Sequence, residues 1–426
     1  TLKSDWSLRS DLGSFSVGTL LRNIDFLYDE WGGTDSLFLY DTSFWDGEQW
    51  TVRDPPTIGV SHVQPEFNFN ENEATWKMGT YAQWQAGLGQ RAQVTAGGRA
   101  DYFTATEELV MSPRVNLELF LDDETNLHMG YGKHYQYPGY YLVYRDPDDL
   151  NHDLKARFTH QFVVGIEHFF APDFRGSLEA FYKMYENLPT RYYWTNPKEE
   201  YPLPLEHRAH WLNAGEARSR GFELFLQKKM TQNWHLLLSY AWSHSQAKDM
   251  RLFFTGSGSL NDKERGGEWY DWDYDIRHQL TFIGGWKKKF HKEVWYQELK
   301  KKKWFRIAST VLGPLNPLAD EVELNVRFGY NSGRPYTERT YFPELRDWVA
   351  AEDADWNSLR FPEYHRLDFM FLQRWMLPKM NIVTYVDIMN IYDRNNIWDY
   401  AYSSDGTKEE VWQYKTVPVG GVTLEF

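Results

Sequence analysis

The chain contains no cysteine in 426 residues. That excludes a disulfide scaffold, thiolate metal sites and any cysteine nucleophile. No run of about 18 apolar residues occurs, so no transmembrane helix is encoded. Mean hydropathy is only −0.65. Basic charge is in deficit: 46 Lys and Arg stand against 60 Asp and Glu, for a net charge of −14. A dedicated nucleic-acid binder needs a basic face, so that class is disfavoured. The motifs G-x-S-x-G, H-E-x-x-H and G-x-x-x-x-G-K-[ST] are all missing, and nothing else points to an enzyme. The one close histidine pair, His207 and His210, lies in a Pro-flanked loop without a third ligand. Neither leader nor initiator methionine precedes Thr1, which reads as a processed or trimmed start.

What the chain does have is aromatic side chains. It carries 20 Trp, 28 Tyr and 27 Phe, 18 % of its residues. High aromatic content with low hydropathy is contradictory for a soluble globular protein. The periodicity resolves the contradiction. In 321–330, Val322, Leu324, Val326, Phe328 and Tyr330 alternate with Glu321, Glu323, Asn325, Arg327 and Gly329. Segments 173–185, 91–102, 233–245 and 77–85 alternate in the same way, which is the pattern of β-strands. Fifteen candidates begin near Lys3, Ser14, Thr75, Arg91, Pro113, Thr125, Phe158, Asp173, Ala217, Asn233, Ile276, Glu321, Tyr364, Lys379 and Trp412. Most run ten to fourteen residues, whereas soluble strands have about five or six and tilted membrane strands about 9–11.

Connections alternate between short turns, such as 11–13 and 87–90, and long loops, such as 27–73 and 187–213. Short turns at one rim and long loops at the other are the pattern of a transmembrane antiparallel β-barrel. Two segments break the alternation: 105–112 is short on the long-loop side, and 287–320 is long on the short-turn side. The aromatics then divide between lipid-facing girdles and external loops, while a polar inner face lowers the mean hydropathy. A secreted propeller with glycan-binding aromatics is the alternative, but a 40–50-residue repeat is missing.

Seven stretches carry a family resemblance: Ser112-Pro113-Arg114; Tyr131-Gly132-Lys133 with Tyr135-Gln136-Tyr137-Pro138; Asn213 to Ala217 leading to Gly221-Phe222-Glu223-Leu224; Ile276-Arg277-His278-Gln279; Gly333-Arg334-Pro335-Tyr336; Tyr364-His365-Arg366-Leu367-Asp368; and Asp387 to Tyr392. Their order and spacing resemble the later barrel strands of TonB-dependent outer-membrane receptors. The terminal Phe426 on an alternating segment looks like the signal read by the barrel assembly machinery. The resemblance implies an all-β barrel of 22 strands in a Gram-negative outer membrane, plugged by an N-terminal domain. It also implies import of a scarce solute (a siderophore, vitamin, oligosaccharide or peptide) driven by TonB. No plug or TonB-contacting segment is encoded here. Residues 1–426 therefore read as the C-terminal part of a barrel, about 15 strands of 22. The plug and remaining strands would be supplied upstream or by another chain. Surface lipoproteins are a further candidate partner. A scaffold barrel that anchors partner proteins and a self-contained passive porin are the competing functions.

Candidate site residues follow from this arrangement. Arg99, Asp101, Arg114, Glu118, Glu179, Glu223, Arg277, Arg327, Arg366 and Asp368 fall on the inner face, where they would line the solute route or touch the plug. The loop 27–73 has ten acids, one base (Arg53) and the exposed candidates Trp31, Trp45 and Trp50. A second external candidate is Trp269, Tyr270, Trp272 and Tyr274, interleaved with Asp271, Asp273 and Asp275. These aromatics suit sugar stacking or a cationic peptide; alternatively they top a strand in the outer girdle. The aspartate spacing resembles a Ca²⁺ loop but lacks the Gly and bidentate Glu, so no metal or cofactor is assigned. Finally, 287–320 is a basic insertion. Lys287–Lys289, Lys292, Lys300–Lys303 and Arg306 interleave with Trp295, Trp304 and Phe305, as in a helix lying on the periplasmic leaflet.

Overall fold

A computed structural model describes the backbone of the chain except residues 33–34, 46–49, 65–66, 145–152, 193–209, 249–267, 313–317, 344–346 and 351–354. Side chains are additionally left undescribed at 28–73, 141, 144, 191–192, 210–212, 310, 312, 347 and 349–350.

The fold is one antiparallel sheet whose strands neighbour each other in strict chain order. The strands are β1 (Leu2–Ser10), β2 (Gly13–Gly32), β3 (Phe67–Gly87), β4 (Ala92–Phe103), β5 (Glu108–Phe120), β6 (Thr125–Gln136), β7 (Arg157–Ala171) and β8 (Phe174–Tyr192). They continue as β9 (His210–Thr231), β10 (Trp234–Lys248), β11 (His278–Lys288), β12 (Glu321–Asn331), β13 (Tyr364–Met376), β14 (Asn381–Met389) and β15 (Val417–Glu425). These are the fifteen strands that the alternation predicts. Within this sheet, among the described residues, only the two-residue strand Tyr270–Asp271, paired to β10, lies off the path; four two-stranded sheets stand apart from it.

The register sorts the side chains into two faces, because successive residues of a strand point oppositely. Glu179 pairs with Glu223 across β8 and β9, and Leu178 pairs with Leu224. Arg327 pairs with Asp368 and Phe328 with Leu367 across β12 and β13. One face is thus polar and the other apolar. The apolar face is open: Trp6, Leu8, Leu109, Met111, Phe170 and Val422 are all exposed. For a soluble protein that surface would be an aggregation site, whereas for a barrel it is the lipid face.

Short turns join the strands at one rim. At the other rim the connections are longer and fold on themselves. The segment 27–73 is not a plain loop. The β2–β3 ladder continues from Phe26↔Glu73 to Gly32↔Phe67, and Asp35–Trp45 pairs with Trp50–Gln64 as a separate hairpin. After β6, the helix α1 (Tyr140–Tyr144) lies against this rim. Phe103, Ala105 and Val143 form its buried core. Tyr140 stacks on Phe26 at 4.9 Å, and the Tyr137 hydroxyl donates to the Asp101 carbonyl at 2.7 Å. The anomalous short connection is the turn 104–107, which leaves Thr104 bonded across to Trp76.

Boundaries differ from expectation in two further places. Strands β8 and β9 extend to Tyr192 and from His210, into the expected loop 187–213, with register shifts after Tyr185. The last strand starts at Val417, not Trp412; Lys408–Trp412 instead pairs with Ile397–Tyr402 above the rim. Thr416 marks the divide. Its hydroxyl donates to the Asn390 carbonyl at 2.7 Å and its amide to Asp393 at 3.0 Å. That pins the chain where the two-residue pattern alone would run on.

In the other anomalous connection, α2 (Val294–Lys301) and α3 (Lys303–Leu312) follow a short turn at Phe290–Lys292. Lysine, glutamate, leucine and alanine favour helix here, and apolar residues recur at three- and four-residue spacing.

Candidate functional site

The ten inner-face candidates fall into two groups. Six have partners within the wall. Arg99 bonds Asp101, two residues along the same strand, at 2.6 Å. Arg366 bonds Asp368 at 2.9 Å, and Asp368 also accepts the Asn390 amide at 2.9 Å. His128 lies 3.4 Å from Glu179. Arg277 belongs to a rim cluster described below. The other four, Arg114, Glu118, Glu223 and Arg327, make no ion pair among the described residues. They face three recesses in the polar wall. One of ≈ 590 Å³ is bounded by Arg114, Glu118, His128 and His134. A second of ≈ 360 Å³ is bounded by Glu167, Arg175, Glu179 and Glu223. The third, ≈ 430 Å³, lies nearest the long-loop rim and gathers Arg327, Arg334, Arg366, Asp368, Tyr364 and Trp398.

At that rim the external candidates divide. Trp269 and Trp272 have different neighbours. Trp269 packs on the Arg218 guanidinium at 4.1 Å. Trp272 meets Tyr185 edge-on at 5.6 Å and Tyr274 at 5.3 Å. Tyr270 pairs with Ala247 through its backbone, and Tyr274 is 75 % exposed. Trp31, Trp45 and Trp50 lie among the residues whose side chains are not described.

The interleaved aspartates build the tightest polar cluster at this rim. Asp275, fully buried at 0 % exposure, accepts the Ser245 amide at 2.6 Å and Arg277 Nε at 2.6 Å. It also bonds Arg360. Asp271 accepts Arg277 Nη2 at 2.9 Å, Arg360 Nη2 at 2.8 Å and faces His244 Nε2 at 3.1 Å. Asp273 accepts from Asn357 Nδ2 at 2.6 Å. Burial alone would raise the Asp271 carboxyl. The hydrogen bonds from His244 and Arg360 and the charge of Arg277 outweigh it and hold the group below the ordinary aspartate range. The carboxylate and imidazole atoms of His244, Asp271 and Asp275 lie within 4.8 Å of one another. Two guanidiniums already engage both carboxylates, so a dication there would face two fixed positive charges. The donor set fits arginine rather than a metal ion.

Arg360 and Asn357 carry no signal in the sequence. They stand among loop residues and belong to no periodic segment, yet they tie the connection 332–363 down onto 270–277. Glycine does the rest. A Cβ on Gly333 would collide with the Phe361 carbonyl oxygen, so only glycine permits the backbones to approach this closely. Beside it, Arg334 covers the Phe361 ring at 4.7 Å and bonds Asp399 at 2.9 Å. Asn213 plays a similar part between β8 and β9, donating to the carbonyls of Asn187 and Lys155 and accepting the Lys155 amide.

Asn213, Arg277, Gly333 and Arg334 fall within stretches that carry the sequence resemblance, and the family comparison agrees. The model described as "TonB dependent receptor-like, beta-barrel" matches residues 2–391. The chain belongs to this family. Receptor barrels of this kind are outer-membrane proteins, and solved structures agree on the fold. A complex of FpvAI with pyocin S2 aligns with 97 % of the chain at 13 % identity and a TM-score of 0.56, covering 50 % of that protein. The outer-membrane transporter YddB of Escherichia coli aligns with 99 % at 12 % identity and 0.56, covering 52 %. A mutant form of the ferric enterobactin receptor PfeA of Pseudomonas aeruginosa aligns with 95 % at 14 % identity and 0.55, covering 49 %. The receptor barrel thus spans about half the length of the structures it matches. Curated protein sequences give no match.

Proposed function

We propose that this barrel is the wall of a TonB-energised transporter that imports a scarce solute across the outer membrane of a Gram-negative bacterium. Capture falls to the long-loop rim. The polar face forms the route, with a plug domain and further strands from outside residues 1–426 completing the lumen. The observation that carries the reading is the split of the inner charges. Wall contacts hold six of them, while Arg114, Glu118, Glu223 and Arg327 project into open recesses without an ion-pair partner among the described residues. Burying charges under a plug without partners would be costly. These four are therefore the contacts for plug and solute, and their mixed signs suit a movable polar surface. The rim recess, with three arginines and one aspartate, admits a carboxylate or phosphate group on the solute. The ten acids of the 27–73 segment, by contrast, would repel a strongly anionic solute.

The test is uptake by cells that express the intact receptor, with the solute identified by mass spectrometry of small molecules that co-purify with it. Uptake should stop when TonB is removed. Uptake that persists unchanged without TonB favours the scaffold or porin readings.

A further inference from the structure

The helical insertion between β11 and β12 has an apolar stripe that nothing among the described residues covers. Tyr296 and Phe305 turn inward and pack edge-on at 6.0 Å, and Lys300 bonds the buried Asp320 at 2.6 Å. That fixes which side of each helix faces the protein. On the free side of α3, Trp304, Ile307 and Val311 are 60 %, 55 % and 78 % exposed. Their spacing of three and four residues places them on one stripe. Basic residues stand beside it at the helix start, Lys302 and Lys303. Lys289, Lys292, Lys302 and Lys303 make no ion pair among the described residues.

The insertion leaves the sheet on its apolar side. Lys288 sits opposite Val322 in register, on the same face as Trp286 and Leu324, and it bonds Glu293 at the start of α2 at 2.5 Å. Val322 is 4 % exposed, and the turn Phe290–Lys292 packs on β12 beside it. The short turns put this rim on the periplasmic side.

We propose that this insertion is an in-plane membrane anchor. Trp304, Ile307 and Val311 seat in the periplasmic leaflet of phospholipid, and the neighbouring lysines meet its anionic headgroups. Three observations select lipid as the occupant. The insertion starts from Lys288, on the apolar face of the sheet. Tryptophan beside lysine is the composition of a bilayer interface. The local positive charge stands out in a chain of net charge −14, and it complements an anionic surface. The proposal rests on the barrel reading.

Because the chain lacks cysteine, a single Val311→Cys substitution gives a unique nitroxide label in this part of the intact receptor. The receptor would be placed in bilayers of phosphatidylethanolamine and phosphatidylglycerol, and the label's accessibility to oxygen and to a water-soluble nickel chelate compared. High oxygen and low nickel accessibility are expected. Adding Lys302→Glu and Lys303→Glu should shift the label toward water, by about fivefold in partition per lysine. A label open to nickel, or one shielded from both reagents by a protein partner, overturns the anchor. A second label at Val422→Cys, on the lipid face, separates the causes: if it too is open to nickel, the barrel reading fails, and if it alone stays in lipid, only the anchor fails.

Discussion

Single residues decide how the rim is held. Gly333 shows this most sharply, since a methyl group there collides with the Phe361 carbonyl. Gly333→Ala should force apart the two backbones that carry Arg334 and Arg360. Trypsin digestion of the membrane-embedded receptor should then nick 332–363 at least tenfold faster, about 1.4 kcal/mol of local opening. Arg360→Ala should destabilise the same connection by roughly 1–3 kcal/mol, less than a fully buried pair because Arg277 still faces Asp275 and the cluster is partly wet. Acid should mimic that substitution. The folded Asp271 carboxyl is held below its ordinary value, so its stabilisation is present above that value and is lost as pH falls through the folded one. Opening of 332–363, followed by amide hydrogen exchange corrected for its intrinsic pH dependence, should therefore rise only below about pH 4, and Asp271→Asn should remove that dependence. Among the lumen charges, Arg327→Glu should lower solute uptake while leaving the barrel assembled, as seen by its gel mobility without heating. Unchanged uptake would remove Arg327 from the route.

At the level of the element, the strands were legible and the rim was not. Period-two alternation is a local signal, and a membrane strand must keep it along its whole length, because lipid lies on one side and water on the other. Hence β12, with Val322 to Tyr330 against Glu321 to Gly329, read correctly from its residues alone. Where the chain leaves the membrane that constraint ends. The continued β2–β3 ladder looked like an acidic loop, because above the bilayer both faces are wet and carboxylates are tolerated on either. The segment before β15 looked like more strand, because Trp412 and Tyr414 keep the parity while Thr416 turns the chain by hydrogen bonds that no spacing reports. Arg360 was invisible for the same reason, since its partners Asp271 and Asp275 lie more than 80 residues away. The face assignment itself is open to test by single cysteines along β9. Positions Glu223 and Phe225 should react with a membrane-impermeant maleimide, and Phe222 and Leu224 should not. A uniform reaction along the strand would contradict the two-faced wall.

For the whole molecule, the topology limits how the wall can close. Fifteen strands in consecutive antiparallel order leave β1 and β15 running in the same direction, each with a neighbour on one side only among the described residues. They cannot complete an antiparallel barrel with each other, and an odd number of added strands is required. Unpaired edges in lipid would cost several kcal/mol for each bare backbone group, which makes extra strands a condition of insertion rather than an embellishment. Half-length coverage of the matched receptors agrees with such a sector. Disulfide trapping tests this most directly. In the intact protein in its membrane, Ser7→Cys with Ser16→Cys, which face each other across β1 and β2, should cross-link readily, because opposed strand residues lie within disulfide reach. Ser7→Cys with Thr423→Cys, on β1 and β15, should not cross-link at all. Efficient formation of that second bridge would mean that the two edges meet, and it would contradict the reading of residues 1–426 as one sector of a larger barrel.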